Sequence, residues 1–415
     1  MNLIKSFLFL GLAIGCLSGC DKVERNTYYK VSLPVLEKMA DIRAKSLTTV
    51  APKPLTESGK IYIFKDYLFI NEPLKGIHIY NNSNPATPKP ISFLNIPGNV
   101  DMAVKDNVLY ADSFVDLLTF DLSHPDKPTL LNRIEDVFKQ LYYYDIETKT
   151  MSNVAVEYVD TVLNREDFYK YNPHIKHNFE MVNYDAGSGV GSYGQGGSMA
   201  RFTLANDHLY TVDNSSLNLF DVSDKTKPSF KKNITLGWGI ETIFPYKNNL
   251  FIGSNSGMFI YNIDSAAEPK QESVYSHLRA CDPVVVNDDY AFVTLRTGAA
   301  CAGVVNVLEI VDIKDLKNPK LLKTFQMQNP HGLGLATDVL YICEGKFGFK
   351  SFDAKDVTKV GDLQLEHLKD LHSTDVIPGP KSLIVIGENG VCQYDYANKS
   401  KLRLLSCISV NSTHD

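Results

Sequence analysis

Seven positions spread along the chain carry residues that can do chemistry, each just ahead of an apolar run. They are Lys60, Asp101, Arg201, Glu241 (or Thr242 beside it), Asp282, His331 and Asp375, with His372 close to the last. A second set, Glu72, Asp112, Asp213, Arg296, Glu344 and Glu388, follows the next apolar run of the same intervals. Brought to one place, these side chains would make a pocket of mixed charge with an acidic excess, suited to a cation, a sugar or a peptide group. Carboxylates crowded together perturb one another's pKa, which is the habit of functional sites. His331 or His372 among them would be a base or a metal ligand. The plainer alternative is a wet channel, whose polar lining costs little and needs no ligand. A histidine beside backbone loops is often merely hydrogen-bonded. No spacing matches a metal motif: there is no CxxC, no HExxH and no EF-hand loop. No cofactor is evident among these residues, and the pattern is compatible with a cation bound in the channel.

Elements that would position these residues repeat along the chain. An alternating apolar run ending in Asp or Asn recurs as Gly76–Asn81, Leu117–Asp121, Leu217–Asp221, Met258–Asn262, Leu308–Asp312, Phe349–Asp353 and Val391–Asp395. The final residues are spaced by 40, 100, 41, 50, 41 and 42. The 100 is one repeat plus an insertion of roughly 60, and the 50 is one repeat plus roughly nine. Each repeat has room for four short strands with turn residues between them, as in 100–104, 108–111, 117–121 and 129–134. Four strands in about 40 residues is the size of a propeller blade. The expected fold is therefore all-β, a seven-bladed β-propeller of four-stranded blades over 58–412, with an insertion at 138–198 between blades two and three. In that fold the seven leading residues fall at the mouth of the channel, on the face that also carries the second-to-third strand loops.

These repeats are not of the Trp-Asp type, because Trp238 is the only tryptophan. The motif resembles the LVIVD-repeat family, with Leu308-Glu-Ile-Val-Asp312 the nearest copy. The stretches Ile96–Asp101, Tyr210–Ser216, Cys281–Val286 and Asn329–Leu333 are also similar to bacterial LVIVD-repeat lipoproteins. The resemblance covers roughly 52–409. It implies a propeller on a cell envelope and no activity.

Residues 1–19 read as an export signal, with Lys5 ahead of the apolar run Phe7–Cys16. Leu17-Ser18-Gly19-Cys20 resembles the bacterial lipobox, which implies covalent lipid on a diacylated Cys20 at the start of the mature chain. More than one acyl chain gives stable anchoring. Residues 20–57 would be a tether and an N-terminal segment, with a short amphipathic helix over 33–46 that places Val35, Leu36, Met39 and Ile42 on one face. Nothing downstream is long and apolar enough to span a bilayer. A bacterial envelope location follows, lipid-anchored and most naturally at the outer membrane.

The insertion ends in the glycine-rich run Asp185–Gly197, which lacks the context of a phosphate-binding loop. It is read as either a linker or a cap over the channel mouth. Five cysteines remain beyond Cys20. Cys281 and Cys301 fall on the same face of one repeat and can pair, and Cys392 and Cys407 come opposite each other on the last two strands. Cys343 is then an unpaired thiol. The first and last repeats run in order, so no strand need cross from one terminus to the other.

The 42 Lys+Arg against 48 Asp+Glu, a formal charge of −6, exclude non-specific nucleic-acid binding, which needs basic surface. The functional expectation is a membrane-anchored scaffold that binds an envelope protein or glycan through its loop-rich face. The alternative is an envelope hydrolase or lyase using the channel acids and His331. Absence of a nucleophile–base pattern favours binding.

Overall fold

The computed structural model describes residues 28–145, 148–164, 167–168, 197–199, 201–276, 283–296 and 305–411. The fold is all-β in a propeller-like arrangement of repeated antiparallel sheets. Seven sheets follow one another along the chain, each a four-strand meander, and the first carries a fifth strand. Their innermost strands are Ile61–Phe64, Met102–Lys105, Phe202–Ala205, Ile240–Tyr246, Val284–Val286, Leu333–Ala336 and Asp375–Pro378. Successive sheets pack face to face, and the seventh packs on the first through Ile61, Ile63 and Ile70 against Ile377, Ile384 and Ile386. The middle strands are therefore apolar on both faces, as in Leu109-Tyr110-Ala111, where sheets covered on both sides lose their alternation.

The recurring Asp or Asn has a local physical role. Asn81, Asp121, Asp221, Asn262, Asp312, Asp353 and Asp395 each accept, at Oδ1, the backbone N–H two residues on, at 2.8–3.0 Å. This is the Asx turn that opens the connection to the fourth strand. Three residues later, Asn84, Asp224, Asp315, Asp356 and Asn398 repeat the bond at 3.0–3.1 Å. Every third-to-fourth strand pair then contains a register shift, for example between Ile310 and Val311. Such bulges twist the outer strand. Equivalent tyrosines tie neighbouring sheets: the Tyr110 and Tyr210 hydroxyls donate to the carbonyls of Lys225 and Ala266, at 2.9 and 2.8 Å.

The N-terminal segment differs from its expectation. Strand Tyr28–Lys38 replaces the first part of the expected helix, which is confined to Met39–Ala44. Met39 and Ile42 are buried against Phe114, Val115 and Val154, as expected, but Val35 and Leu36 are exposed on the strand. Arg43 locks the helix with a bidentate pair to buried Asp116, at 2.6 and 2.9 Å, and a further bond to Asp136. Thr49–Val50 adds the fifth strand, outside Lys89–Asn95. Among the described residues no strand crosses from one terminal sheet to the other, but the seam is more than side-chain packing: Leu55 forms a parallel bridge with Val410, and the Asn411 amide donates to the Leu55 carbonyl at 2.8 Å. The seam gains a reciprocal amide pair, Asn82 with Gln393 at 2.9 and 2.8 Å.

Tyr28–Lys38, Thr150–Asn164 and Tyr143–Asp145 form a separate three-stranded sheet. The chain divides into two compact units, Met1–Val35 with Glu157–Met181, and Leu36–Val156 with Val182–Asp415. All seven repeated sheets belong to the second. In the first, the Tyr29 and Phe168 rings stack with centroids 4.2 Å apart. Cys392 and Cys407, directly opposite in register, are disulfide-bonded, and Cys343 is a buried free thiol. Cys20, Cys281 and Cys301 lie outside the described residues. No helix among the described residues is long and apolar enough to cross a membrane.

Candidate functional site

The ends of the innermost strands bring Lys60, Asp101, Arg201 and Asp375 into one electrostatic cluster with Asp112. Lys60, Asp101 and Asp375 are each only 1% exposed. At these three positions the side chains are closed off from solvent. Lys60 Nζ lies 3.8 Å from Asp101 Oδ2 and donates to the Met199 carbonyl at 3.4 Å. Asp101 also accepts the amides of Met102 at 2.7 Å and Arg201 at 3.1 Å. Asp112 accepts Asn99 Nδ2 and the amides of Val100 and Asp101, at 2.8 to 2.9 Å. These bonds fix the start of the second sheet's inner strand, so Asp112 is already committed.

Burial dominates the titration of the cluster. It pushes the Asp101 carboxyl up against the pull of Lys60, and pushes the Lys60 ammonium down against the pull of Asp101. Asp112 is raised to about 7 by burial, opposed by its hydrogen bonds to Asp101 and Val100. Asp375 is raised to about 7 by burial, opposed by Val376, Lys60 and Ser198. Ser198 and Val376 approach Asp375 without closing a hydrogen bond of regular geometry, and both its carboxylate oxygens are left without one. Arg201 Nε is buried and likewise without an acceptor.

The end of the insertion occupies this centre, a placement with no signal in the spacing of the repeats. A Cβ on Gly197 would fall 1.7 Å from Asp375 Oδ2, and one on Gly332 would fall 2.2 Å from Oδ1. The carboxylate is sandwiched between two stretches of backbone that only glycine permits. Ser198 Oγ accepts the Leu333 amide at 2.8 Å, which ties the segment to the sixth sheet. The one available hint is the position of Gly197-Ser198 just ahead of Arg201, where the chain must enter an inner strand.

Histidines expected at the mouth form a second group. His331 is held by backbone, its amide donating to Cys343 and its carbonyl accepting from Thr294 Oγ1, each at 2.7 Å. Burial, then Arg296 and His372, lower its pKa to about 3, so the ring is neutral at pH 7 and a poor base. Its Nε2 sits 3.1 Å from Asn329 Nδ2. His372 pairs instead with exposed Glu388 at 2.7 Å. Glu241 is half-buried on the fourth sheet's inner strand. Asp282 lies outside the described residues. Among the described residues, no three His, Cys, Asp or Glu side chains gather as a metal site.

Most loop acids serve the loops. Glu72 accepts Thr56 at 2.7 Å and pairs with His78 and Lys75, and its carboxyl stays well below the usual range because these bonds outweigh burial. Asp213 accepts the amides of Ser215 and Ser216. Glu344 accepts the amides of Gln328 and Asn329 and pairs with Lys350 at 3.1 Å.

No protein-family model matches this sequence, and no curated protein matches it. Solved structures do resemble it. A functionally unknown protein from Desulfotomaculum acetoxidans is 12% identical, with a TM-score of 0.52 over 83% of this chain and 97% of that one. The computationally designed Ika8 protein is 8% identical, with a TM-score of 0.51 over 86% and 89% of the two chains. Hsv2 of Kluyveromyces lactis is 12% identical, with a TM-score of 0.50 over 87% and 100%. At these identities the likeness is one of fold alone.

Proposed function

We propose that this chain is a seven-bladed β-propeller of LVIVD-repeat type, anchored by lipid on Cys20 at the bacterial cell envelope, most naturally the outer membrane. Its role is to bind an envelope protein or glycan through its loop-rich face. The observation that carries binding over catalysis is the closed centre. Lys60 faces Asp101, Asp112 is spent on backbone amides, and Gly197–Met199 cover Asp375. Acids and bases so engaged are not presented to a substrate. The Cys392–Cys407 bond supports an oxidising, exported location.

The second reading, a hydrolase or lyase, is favoured by one feature: the buried carboxyl of Asp375, poised near 7 without hydrogen bonds. Two measurements test the first reading. The full chain made in a bacterial host should partition into detergent, and Cys20→Ser should leave it in the aqueous phase. Crosslinking in intact envelopes should capture a component that is lost when the loop face is altered. Aqueous partitioning of the unaltered chain would refute the anchor. Turnover of an envelope polymer that disappears in Asp375→Asn would favour the enzyme.

A further inference from the structure

Trp238, the only tryptophan of the chain, is 78% exposed at the tip of the turn joining the third and fourth sheets. Tryptophan is enriched at interfaces because its body is apolar and its N–H is polar, so a ring held exposed at a fixed place is suited to stack on a ligand. The place is fixed here. Leu236 and Gly237 amides donate to the Ser215 carbonyl, at 2.9 and 3.2 Å. Gly239 and Ile240 amides donate to the Asn214 carbonyl, and the Asn255 amide donates to that of Gly239 at 2.8 Å. Gly237 and Gly239 adopt φ of +127° and +78°, backbone that a larger residue would take only with strain. A Cβ at Gly237 would meet nothing within 4 Å beyond its chain neighbours, so the turn itself is not packed over at that point. At Gly239 it would meet the Asn255 side-chain amide at 2.2 Å, which places that amide against the turn.

We propose that Trp238, with the polar groups around its turn, is a binding subsite for a neutral glycan. This inference rests on the proposed role as an envelope-binding scaffold and names the ligand class. The surroundings are amides and hydroxyls: Asn214 and Ser256 are exposed, and Ser215 and Asn255 are half-buried. Glu241 adds a half-buried carboxylate three residues on. A pyranose offers an apolar C–H face to an indole and a rim of hydroxyls to such groups, which both donate and accept. A protein partner would call for a cluster of apolar anchors. Among the described residues, the other exposed large apolar side chains of these two sheets, Phe230 and Val274, are on the outer strands. The turn is already ordered, so a weak ligand loses little affinity to ordering.

Being unique, Trp238 is its own reporter. Purified full-length protein in detergent is titrated with chitotetraose, cellotetraose, mannotetraose and laminaritetraose while tryptophan emission is recorded. A saturable blue shift with at least one is expected. Trp238→Ala should weaken that sugar about tenfold by calorimetry, a loss of about 1.4 kcal/mol, with an unchanged melting temperature. Trp238→Phe should fall between. No spectral shift with any of the four, or equal affinity in Trp238→Ala, overturns the proposal. Envelope crosslinking that persists while all four sugars fail would overturn this subsite and leave the scaffold role standing. Sugar binding without any envelope partner would do the reverse.

Discussion

Asp221 shows how one side chain serves the repeat. Its Oδ1 accepts both the amide and the hydroxyl of Ser223, and Lys231 lies 3.2 Å from Oδ2. Asn stands at the same place in two of the seven repeats, Asn81 and Asn262, because only the acceptor oxygen is needed. Asp221→Ala should therefore cost about 1 kcal/mol in urea unfolding, and Asp221→Asn well under half of that. Equal losses would show that charge, not the turn, is what matters. Asp375 has the opposite character. Its folded pKa of about 7 lies above the unfolded value of about 3.9, so the folded state holds the proton more tightly. Between these values the folded state binds more protons, and the contribution of Asp375 to stability falls as pH rises from about 4 to about 7. Asp375→Asn has no such proton. Its stability relative to the unaltered chain should rise across that window and stay level below it, as read from urea midpoints at several pH values. A difference that does not vary with pH would mean that Asp375 is ionised throughout.

At the scale of elements, local chemistry was legible and remote contact was not. The seven runs ending in Asp or Asn are third strands because alternation and the Asx turn are written within a few residues. The inner strands follow from counting back, which is why repeat spacing alone puts Lys60, Asp101, Arg201 and Asp375 together. Gly197–Met199 could be read only as the end of a linker or of a cap over the mouth, since what holds them is Leu333, Lys60 and Asp375 from distant repeats. Thr49–Val50 escaped for a similar reason: two residues carry no period, and they pair only because Leu94 and Phe93 offer an edge. The helix is shorter than its pattern suggests because Val35 and Leu36 fit a helical stripe equally well, while Pro34 just before them belongs to the extended strand. The Cys392–Cys407 pairing was readable because a hairpin fixes its own register. Closing a loop 15 residues apart, it should contribute about 3 kcal/mol. Cys392→Ser with Cys407→Ser should lower the unfolding free energy by that order and leave the far-UV spectrum unchanged. A loss near zero would mean that the sheet alone holds these strands.

For the whole molecule, the critical contacts are those between the first and seventh sheets. Asn82 and Gln393 each donate one hydrogen bond and accept one from the other, and both are buried. Gln393→Ala leaves the Asn82 amide without either bond, a cost of about 1–3 kcal/mol. Asn82→Ala leaves Gln393 with Ser382, which donates to its Oε1 at 2.8 Å, and should cost less. The double variant should cost clearly less than the sum of the two singles, which a denaturation cycle measures. Strict additivity would mean that the pair does not act as a unit.

The same pair has a temporal meaning. Its partners are 311 residues apart in the chain, and Leu55 waits even longer for Val410. As synthesis proceeds, six sheets can emerge and stack while the first still has one bare flank. Only when the final hairpin arrives can that flank be covered. Contacts so remote are slow to form, and an uncovered flank is the surface on which two nascent copies would stick. The array is thus assembled in sequence but completed all at once, by the strands of its seventh sheet.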